Sequence, residues 1–266
     1  MSNTANKQWI NLLANLLDAP VVAPRGKSTR ELLGWKTLVP MDNPVITIRE
    51  RNLGYRFMVA EAAWILSGDN RVSTIGPYSK AISNFSDDGY QFFGAYGPKI
   101  KMQMPYVAAA LVKDEYSRQA ALTIWRESPM PSKDIPCTIS LQWMIRDGQL
   151  ECFANMRSSD AWLGVPYDWF NFSMVSAWLL ILLRRIHKPY ENVSLGNLHF
   201  YAGSQHLYEP EWEAANNIVN GLTSEFDVRP FYLHEFPEPD FLTNHLWDVA
   251  ERNTPLTSGW LLETLP

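Results

Sequence analysis

The chain has 266 residues, 46% apolar and 19% charged, with a formal net charge of −5. Such a length suits one large domain or two small ones, and the apolar share excludes a disordered chain. No basic tract stands out, which argues against a nucleic-acid polymer as ligand; a small anion needs only a few placed arginines. Residues 7–17 (KQWINLLANLL) carry apolar groups at helical spacing. Residues 19–34, with two prolines and the Arg25-Gly26 turn, read as a loop entering a strand. Residues 53–68 predict a helix closed by Gly68. Residues 84–98 are rich in Asp, Gly and aromatics and read as loop, while 103–112 and 114–121 fit helices. Residues 137–145 and 149–157 alternate like strands around Arg146-Asp147-Gly148, a strong hairpin signal. Residues 169–186 predict a long apolar helix and 195–208 a further strand; from 209 the chain is Pro-rich and harder to place. With no internal repeat, low-complexity tract or linker, one α+β domain over residues 1–266 is the simplest account.

Two cysteines give neither a disulfide framework nor a zinc cluster, and they fit a reducing cytosol. Met1 to Asn11 lacks a signal-peptide core. The most apolar run, Ala177–Leu183, is far shorter than the roughly 20 residues that cross a bilayer. A cytoplasmic protein with no membrane partner is expected. The 11 Trp and 11 Tyr are many for this length, and such rings line pockets for flat ligands as well as cores.

Cys137 follows Ile135-Pro136 and opens a strand. Arg157 ends the paired strand, and a guanidinium near a thiol lowers its pKa and makes a nucleophile. The other reading is a buried structural cysteine, which is the reading for Cys152 amid apolar neighbours. Glu61 lies between Ala60 and Ala62 on an apolar helix; unless that position is exposed, its carboxylate must be paired, neutral or functional. Residues 155–168 (NMRSSDAWLGVPYD) pack charge, hydroxyls, Gly and Pro between a strand and a helix. Arg157 and Ser158 suit a phosphate, since guanidinium binds its oxygens bidentately. The alternative is a solvated turn, with Asp168 capping a helix that starts at Trp169. Gly26-Lys27-Ser28-Thr29 is not a phosphate loop of the Walker type, because the first glycine and the preceding apolar strand are missing. His206 has no metal-ligand partner at useful spacing, so no metal is expected.

Together these segments resemble the thymidylate synthase superfamily over about residues 25–208. The stretch Arg157-Ser158-Ser159-Asp160-Ala161-Trp162-Leu163-Gly164-Val165-Pro166-Tyr167-Asp168 is similar to the family's RSxDxxLGxPxN loop. Pro136-Cys137 resembles its nucleophile, Glu61–Asp69 its glutamate helix, and Gly94–Gly97 the loop of a catalytic tyrosine, here Tyr96. His206-Leu207-Tyr208 resembles the sugar-binding HxY, and Tyr116-Ser117-Arg118 the arginine loop donated across a dimer. The resemblance implies a mixed sheet packed against helices and a sheet-mediated homodimer.

Departures from the family pattern bear on the substrate. Asp168 stands where thymidylate synthases have Asn. A carboxylate only accepts, which suits the amino group of cytosine and a protonated N3. Thr138 follows the cysteine where His is usual, Gln119 replaces a second arginine for which Arg126 could substitute, and Thr74-Ile75 is followed by Gly76-Pro77 with no tryptophan. Losing that ring could admit water to the reactive centre. Asn155–Ser158 and the Gly203-Ser204-x-His206 string resemble phage deoxycytidylate hydroxymethylases and related cytidylate hydroxymethylases. A phage-encoded copy would work in the host cytoplasm.

The resemblance implies covalent catalysis by Cys137 at C6 of a pyrimidine nucleoside monophosphate, with 5,10-methylenetetrahydrofolate as co-substrate. Glu61 and Tyr96 would handle protons and Asp168 the base. Arg25, Arg118, Arg157 and Ser158 would hold the phosphate, and His206 and Tyr208 the sugar. Asp160, Leu163, Gly164 and Ile75 would face the folate. The expected product is 5-hydroxymethylcytosine monophosphate, deoxy before ribo. A methyltransferase, a dUMP-specific enzyme and a catalytically silent nucleotide-binding member are the alternatives. Residues 209–266 match the family poorly, which leaves open the tail that closes its site.

Overall fold

The alternating stretches pair into a six-stranded sheet. The computed structural model describes residues 4–126, 131–221, 223–228 and 230–252. The strands are β1 (Val21–Val22), β2 (Thr29–Pro40), β3 (Ala121–Thr123), β4 (Thr138–Arg146), β5 (Gln149–Asp160) and β6 (Ser194–Tyr208). Their spatial order is β1-β2-β6-β5-β4-β3, and only β5 and β6 run parallel. The β4–β5 turn is the one expected: Asp147 (φ 50°) and Gly148 (φ 72°) both take the left-handed conformation that a two-residue hairpin needs. The parallel step to β6 requires a crossover, supplied by helix α5 (Val165–Ile186).

The pleat sorts the strands' side chains. Thr37, Phe200, Ala154, Leu141 and Leu122 are register neighbours and are all buried. The next row, Leu38, His199, Phe153, Gln142 and Ala121, points the other way and is part-exposed or exposed. Helices therefore cover one face. α5 lies on it, with the Trp143 indole donating to Ser176 at 2.9 Å. By length and composition α5 could cross a bilayer, yet most of it is buried in the core.

Helix α1 (Thr4–Leu17) packs on β2, and α2 (Tyr55–Ser67) on α5. A left-handed Gly68 (φ 71°) closes α2, as the sequence indicates. A four-residue α3 (Val72–Ile75) follows, then α4 (Tyr96–Lys113), α6 (Trp212–Val219) and α7 (Pro239–Arg252), which lies against α2. Two expectations change. α4 starts at Tyr96 rather than 103, because Pro98 falls in the first turn, where no N–H partner is required. Residues 114–121 are not helical: Asp114 ends α4 in an extended conformation, and Ala121 is drawn into β3 by pairing with Gln142.

Candidate active site

Cys137 sits where the chain enters β4, beside the far end of β5. Its carbonyl accepts the Arg157 N–H at 2.9 Å. The Arg157 guanidinium donates to Pro136 O (2.8 Å) and Ile135 O (3.1 Å), lies 3.8 Å from the Cys137 sulfur and covers the Trp125 ring. The arginine thus grips the backbone around the nucleophile. Its charge pulls the thiol pKa down, as expected, but burial is the larger influence, and Asp168, Asp134 and Asp160 add to it. The net shift is upward, so the resting group is a thiol, not the thiolate anticipated from Arg157 alone.

Tyr96 is the first residue of α4. Its hydroxyl accepts the Thr138 N–H at 3.3 Å, which sets it next to Cys137. Burial, with Asp168 and Cys137 nearby, raises its pKa strongly, so it stays protonated until a substrate changes its surroundings.

Two carboxyl groups, on the half-buried residues Glu61 of α2 and Asp168 of α5, belong to neighbouring helices. Glu61 accepts a 2.7 Å hydrogen bond from the Asn171 amide, and burial raises its pKa to about 7. The Asp168 N–H donates to Gly164 O at 2.9 Å, but its carboxyl has no hydrogen bond or ion pair among the described residues. Burial first, then the charges of Glu61 and Asp160, holds its pKa well above the usual carboxylate value. The capping alternative fails, because α5 begins at Val165 with Pro166 in its first turn, and Asp168 is already inside the helix.

The loop between β5 and α5 is braced from behind. Asp160 accepts the N–H groups of Trp162 (2.8 Å) and Leu163 (2.9 Å). The Trp9 indole donates to Ala161 O, and Arg51 donates to Trp162 O. Leu163, 59% exposed, projects from this loop, and Gly164 caps α5. On β6, His206 pairs with Asp160 across the sheet and meets the Tyr208 ring edge-on at 5.1 Å. Burial lowers the His206 pKa, and the charges of Asp160, Glu31 and Arg25 reach it. Arg25 occupies a left-handed turn position (φ 55°) just ahead of β2. Ser158 is the register neighbour of Ser204, which donates to Glu31.

The structure brings Cys137, Tyr96, Glu61, Asp168, Asp160 and Arg157 together, with His206 and Tyr208 following on β6 and Arg25 in the turn ahead of β2. It does not bring Arg118 or Ile75. The Arg118 carbonyl accepts from Gln142, which lies roughly 17 Å along β4 from Cys137 at about 3.3 Å per residue. Within one chain Arg118 is out of reach. Ile75 is 0% exposed and packs into the core, so it presents no surface to a folate. Arg126, considered as a substitute phosphate ligand, donates instead to Phe93 O. The segment from residue 253, part of the expected closing tail, lies outside the described residues. Asn171 and Asp134 escaped the sequence reading. Asn171 was within reach of it, being one turn beyond Asp168 on the same face of α5. Among the described residues no three His, Cys, Asp or Glu gather as a metal would require.

Comparison with known proteins shows what the chain is similar to. A deoxyuridylate hydroxymethyltransferase of Bacillus phage SP01 is 26% identical over 251 residues, covering 84% of this chain and 63% of the phage protein. A second, of Pseudomonas phage M6, is 28% identical over 182 residues, covering 65% of this chain and 52% of its own. The chain thus spans less than two thirds of the length of either relative. The family model described as thymidylate synthase matches residues 7–228, further toward both ends than the motifs reach. With most of its length matched, the chain belongs to the thymidylate synthase family.

Proposed function

We propose that the chain is a one-carbon transferase that hydroxymethylates C5 of a cytosine nucleotide, dCMP before CMP. The observation that carries this reading is Asp168, whose carboxyl has no hydrogen-bond partner among the described residues and is set among Glu61, Asp160, Tyr96 and Cys137. A carboxyl that keeps its proton donates it to cytosine N3, while its other oxygen accepts the 4-amino hydrogen. Proton donation at N3 draws electrons from C6 and readies it for attack.

Cys137 then bonds through sulfur to C6, its thiol proton passing by way of water to the Glu61 carboxylate, and C5 gains the electron pair of the C5–C6 double bond. Splitting one hard step into easier ones is the gain from a covalent adduct. Glu61, with a pKa of about 7, is suited to move protons through water at neutral pH. Tyr96 stands beside Cys137 to help remove the C5 proton. 5,10-Methylenetetrahydrofolate would supply the one-carbon unit. Asp160, Leu163 and Gly164 fit a folate, because the braced loop presents the exposed Leu163 at the edge of the site; Ile75 does not. With the C5 proton removed, tetrahydrofolate would leave an exocyclic methylene; water rather than hydride would add to it as the Cys137 sulfur departs from C6, since no tryptophan follows Ile75. Arg25, Arg157 and Ser158 would hold the phosphate, and His206 and Tyr208 the sugar.

A homodimer belongs to this reading. The open sheet face carries Leu38, Ile139 and Tyr201 exposed, and Arg118 needs a second subunit to reach a site.

A second reading, uridylate as substrate, is favoured by what the two phage relatives are called. The same proton, turned toward O4, would let Asp168 accept the uracil N3–H. A product assay separates the readings: the enzyme, methylenetetrahydrofolate and equal dCMP, CMP and dUMP, followed by mass spectrometry. A gain of CH2O on dCMP or CMP is expected. A gain of CH2 would make it a methyltransferase, product from dUMP alone would overturn the role given to Asp168, and no product would favour a silent nucleotide-binding member.

A further inference from the structure

Two chemistry-bearing side chains sit on separate loops. Tyr96 follows the irregular segment Phe92–Ala95, and Cys137 follows the irregular segment 131–136. Besides the long Thr138–Tyr96 hydrogen bond of 3.3 Å, contacts between those segments bear on their relative placement. One such contact stands out. The Gly94 N–H donates to the Asp134 carboxylate at 2.6 Å. The approach is so close that a Cβ on Gly94 would sit 2.4 Å from the Asp134 carbonyl oxygen and 2.8 Å from its carboxyl group. Only glycine fits there, and for lack of space rather than for an unusual φ.

Asp134 is itself anchored. Its N–H donates to Ser132 Oγ at 3.0 Å, Ser132 donates to Asp87, and the Lys133 N–H donates to the same Asp87 at 2.9 Å. From the other side, Arg126 donates to Phe93 O, and the Lys99 ammonium, one turn into α4, donates to Ile124 O at 2.8 Å. Burial raises the Asp134 pKa, and the Gly94 hydrogen bond and the charges of Lys99 and Arg126 pull against that rise. The groups facing Asp134 are thus Gly94, Lys99, Arg126 and Asp87, with the Cys137 thiol three residues onward.

We propose that Asp134 is a positioning residue: its carboxylate clasps Gly94 and so fixes the Tyr96 hydroxyl relative to the Cys137 sulfur. Asp134 has no hydrogen bond to Cys137 or Tyr96 among the described residues and acts through Gly94. Its catalytic consequence rests on the roles given above to Cys137 and Tyr96, whereas the clasp itself does not. A misplacement of about 1 Å between catalytic groups can cost up to about 100-fold in rate.

The test combines hydrogen exchange of the free protein with steady-state kinetics. Asp134→Ala is expected to speed amide exchange in residues 93–97 about tenfold and to lower kcat about 10- to 100-fold, with the nucleotide KM within about twofold. Asp134→Asn keeps an acceptor for Gly94 and should recover most of both losses. Gly94→Ala keeps the carboxylate but forces the segments apart, so it should behave like Asp134→Ala, and it carries the test if Asp134→Ala fails to fold. Unchanged exchange in residues 93–97 of Asp134→Ala would overturn the clasp. Faster exchange with unchanged kcat would overturn its catalytic role. A wild-type protein inert toward every nucleotide would defeat the reading of the site and with it the catalytic role, while the exchange result would still decide the clasp.

Discussion

Cys137 and Cys152 belong to one hairpin, yet they stand in opposite surroundings. Cys152 is in the middle of β5, opposite Trp143, fully buried under the helices, with its thiol pushed up to about 12. Cys137 is at the mouth of β4, part-exposed, with the Arg157 guanidinium 3.8 Å away. In the middle of the sheet, between β4 and β6 and beneath the helices, a fully buried thiol is packing. The end of a strand leaves carbonyls such as Ile135 and Pro136 free for an arginine to bind, and that arginine then faces whatever stands next to them. Position along a strand, not residue type, separates the two.

The sharpest way to break this comparison is to remove each thiol in turn. Cys137→Ala should lower kcat/KM by at least about 10⁴-fold, while nucleotide affinity, measured by titration calorimetry, changes little. Surviving turnover would mean that Cys137 is packing like its neighbour.

Next in size is Glu61, the carboxyl across the site. Glu61→Gln should reduce kcat by about 10²-fold or more. It should also change how stability varies with pH. Glu61 binds its proton more tightly in the folded state, with a pKa of about 7 against 4.5 unfolded. That contribution is complete below 4.5 and is lost as pH climbs through about 7. Thermal melts of the wild type should therefore fall across this window, and Glu61→Gln should flatten the slope. A slope unchanged by the substitution would place the titration elsewhere.

A smaller effect tests the partner of Glu61. The Asn171 amide favours the ionised form, so Asn171→Ala should move the Glu61 limb of the kcat profile to higher pH. A limb that stays put would make Asn171 a packing residue. Smallest of all, Cys152→Ala should leave turnover near wild type and cost about 1 kcal/mol in urea unfolding, the order expected for one small buried group.

Much of the frame was legible from local signals. Asp147-Gly148 marked the hairpin, Gly68 the end of α2, and alternation the paired strands. These depend on the residues' own backbone preferences. The misses depend on partners far along the chain. Residues 114–121 have helical spacing, but Ala121 pairs with Gln142. The capping alternative for Asp168 was instead a local ambiguity, settled by a helix that starts earlier, with Pro166 in its first turn. Arg157 beside Cys137 was readable from strand pairing, but not the net rise in thiol pKa, which comes from burial and three carboxylates on other segments. Asp134 gave no signal, since its meaning lies in Gly94, 40 positions away.

The covalent role of Cys137 can be observed directly. A 5-fluoro-dCMP substrate should stall after C6 attack and one-carbon transfer, because fluorine at C5 cannot leave as the proton does. The enzyme would be incubated with this nucleotide and methylenetetrahydrofolate, digested, and mapped by mass spectrometry. The account predicts a nucleotide adduct on the peptide containing Cys137 and none on that containing Cys152. An unmodified Cys137 under conditions where dCMP is turned over, or an adduct on Cys152, would contradict it.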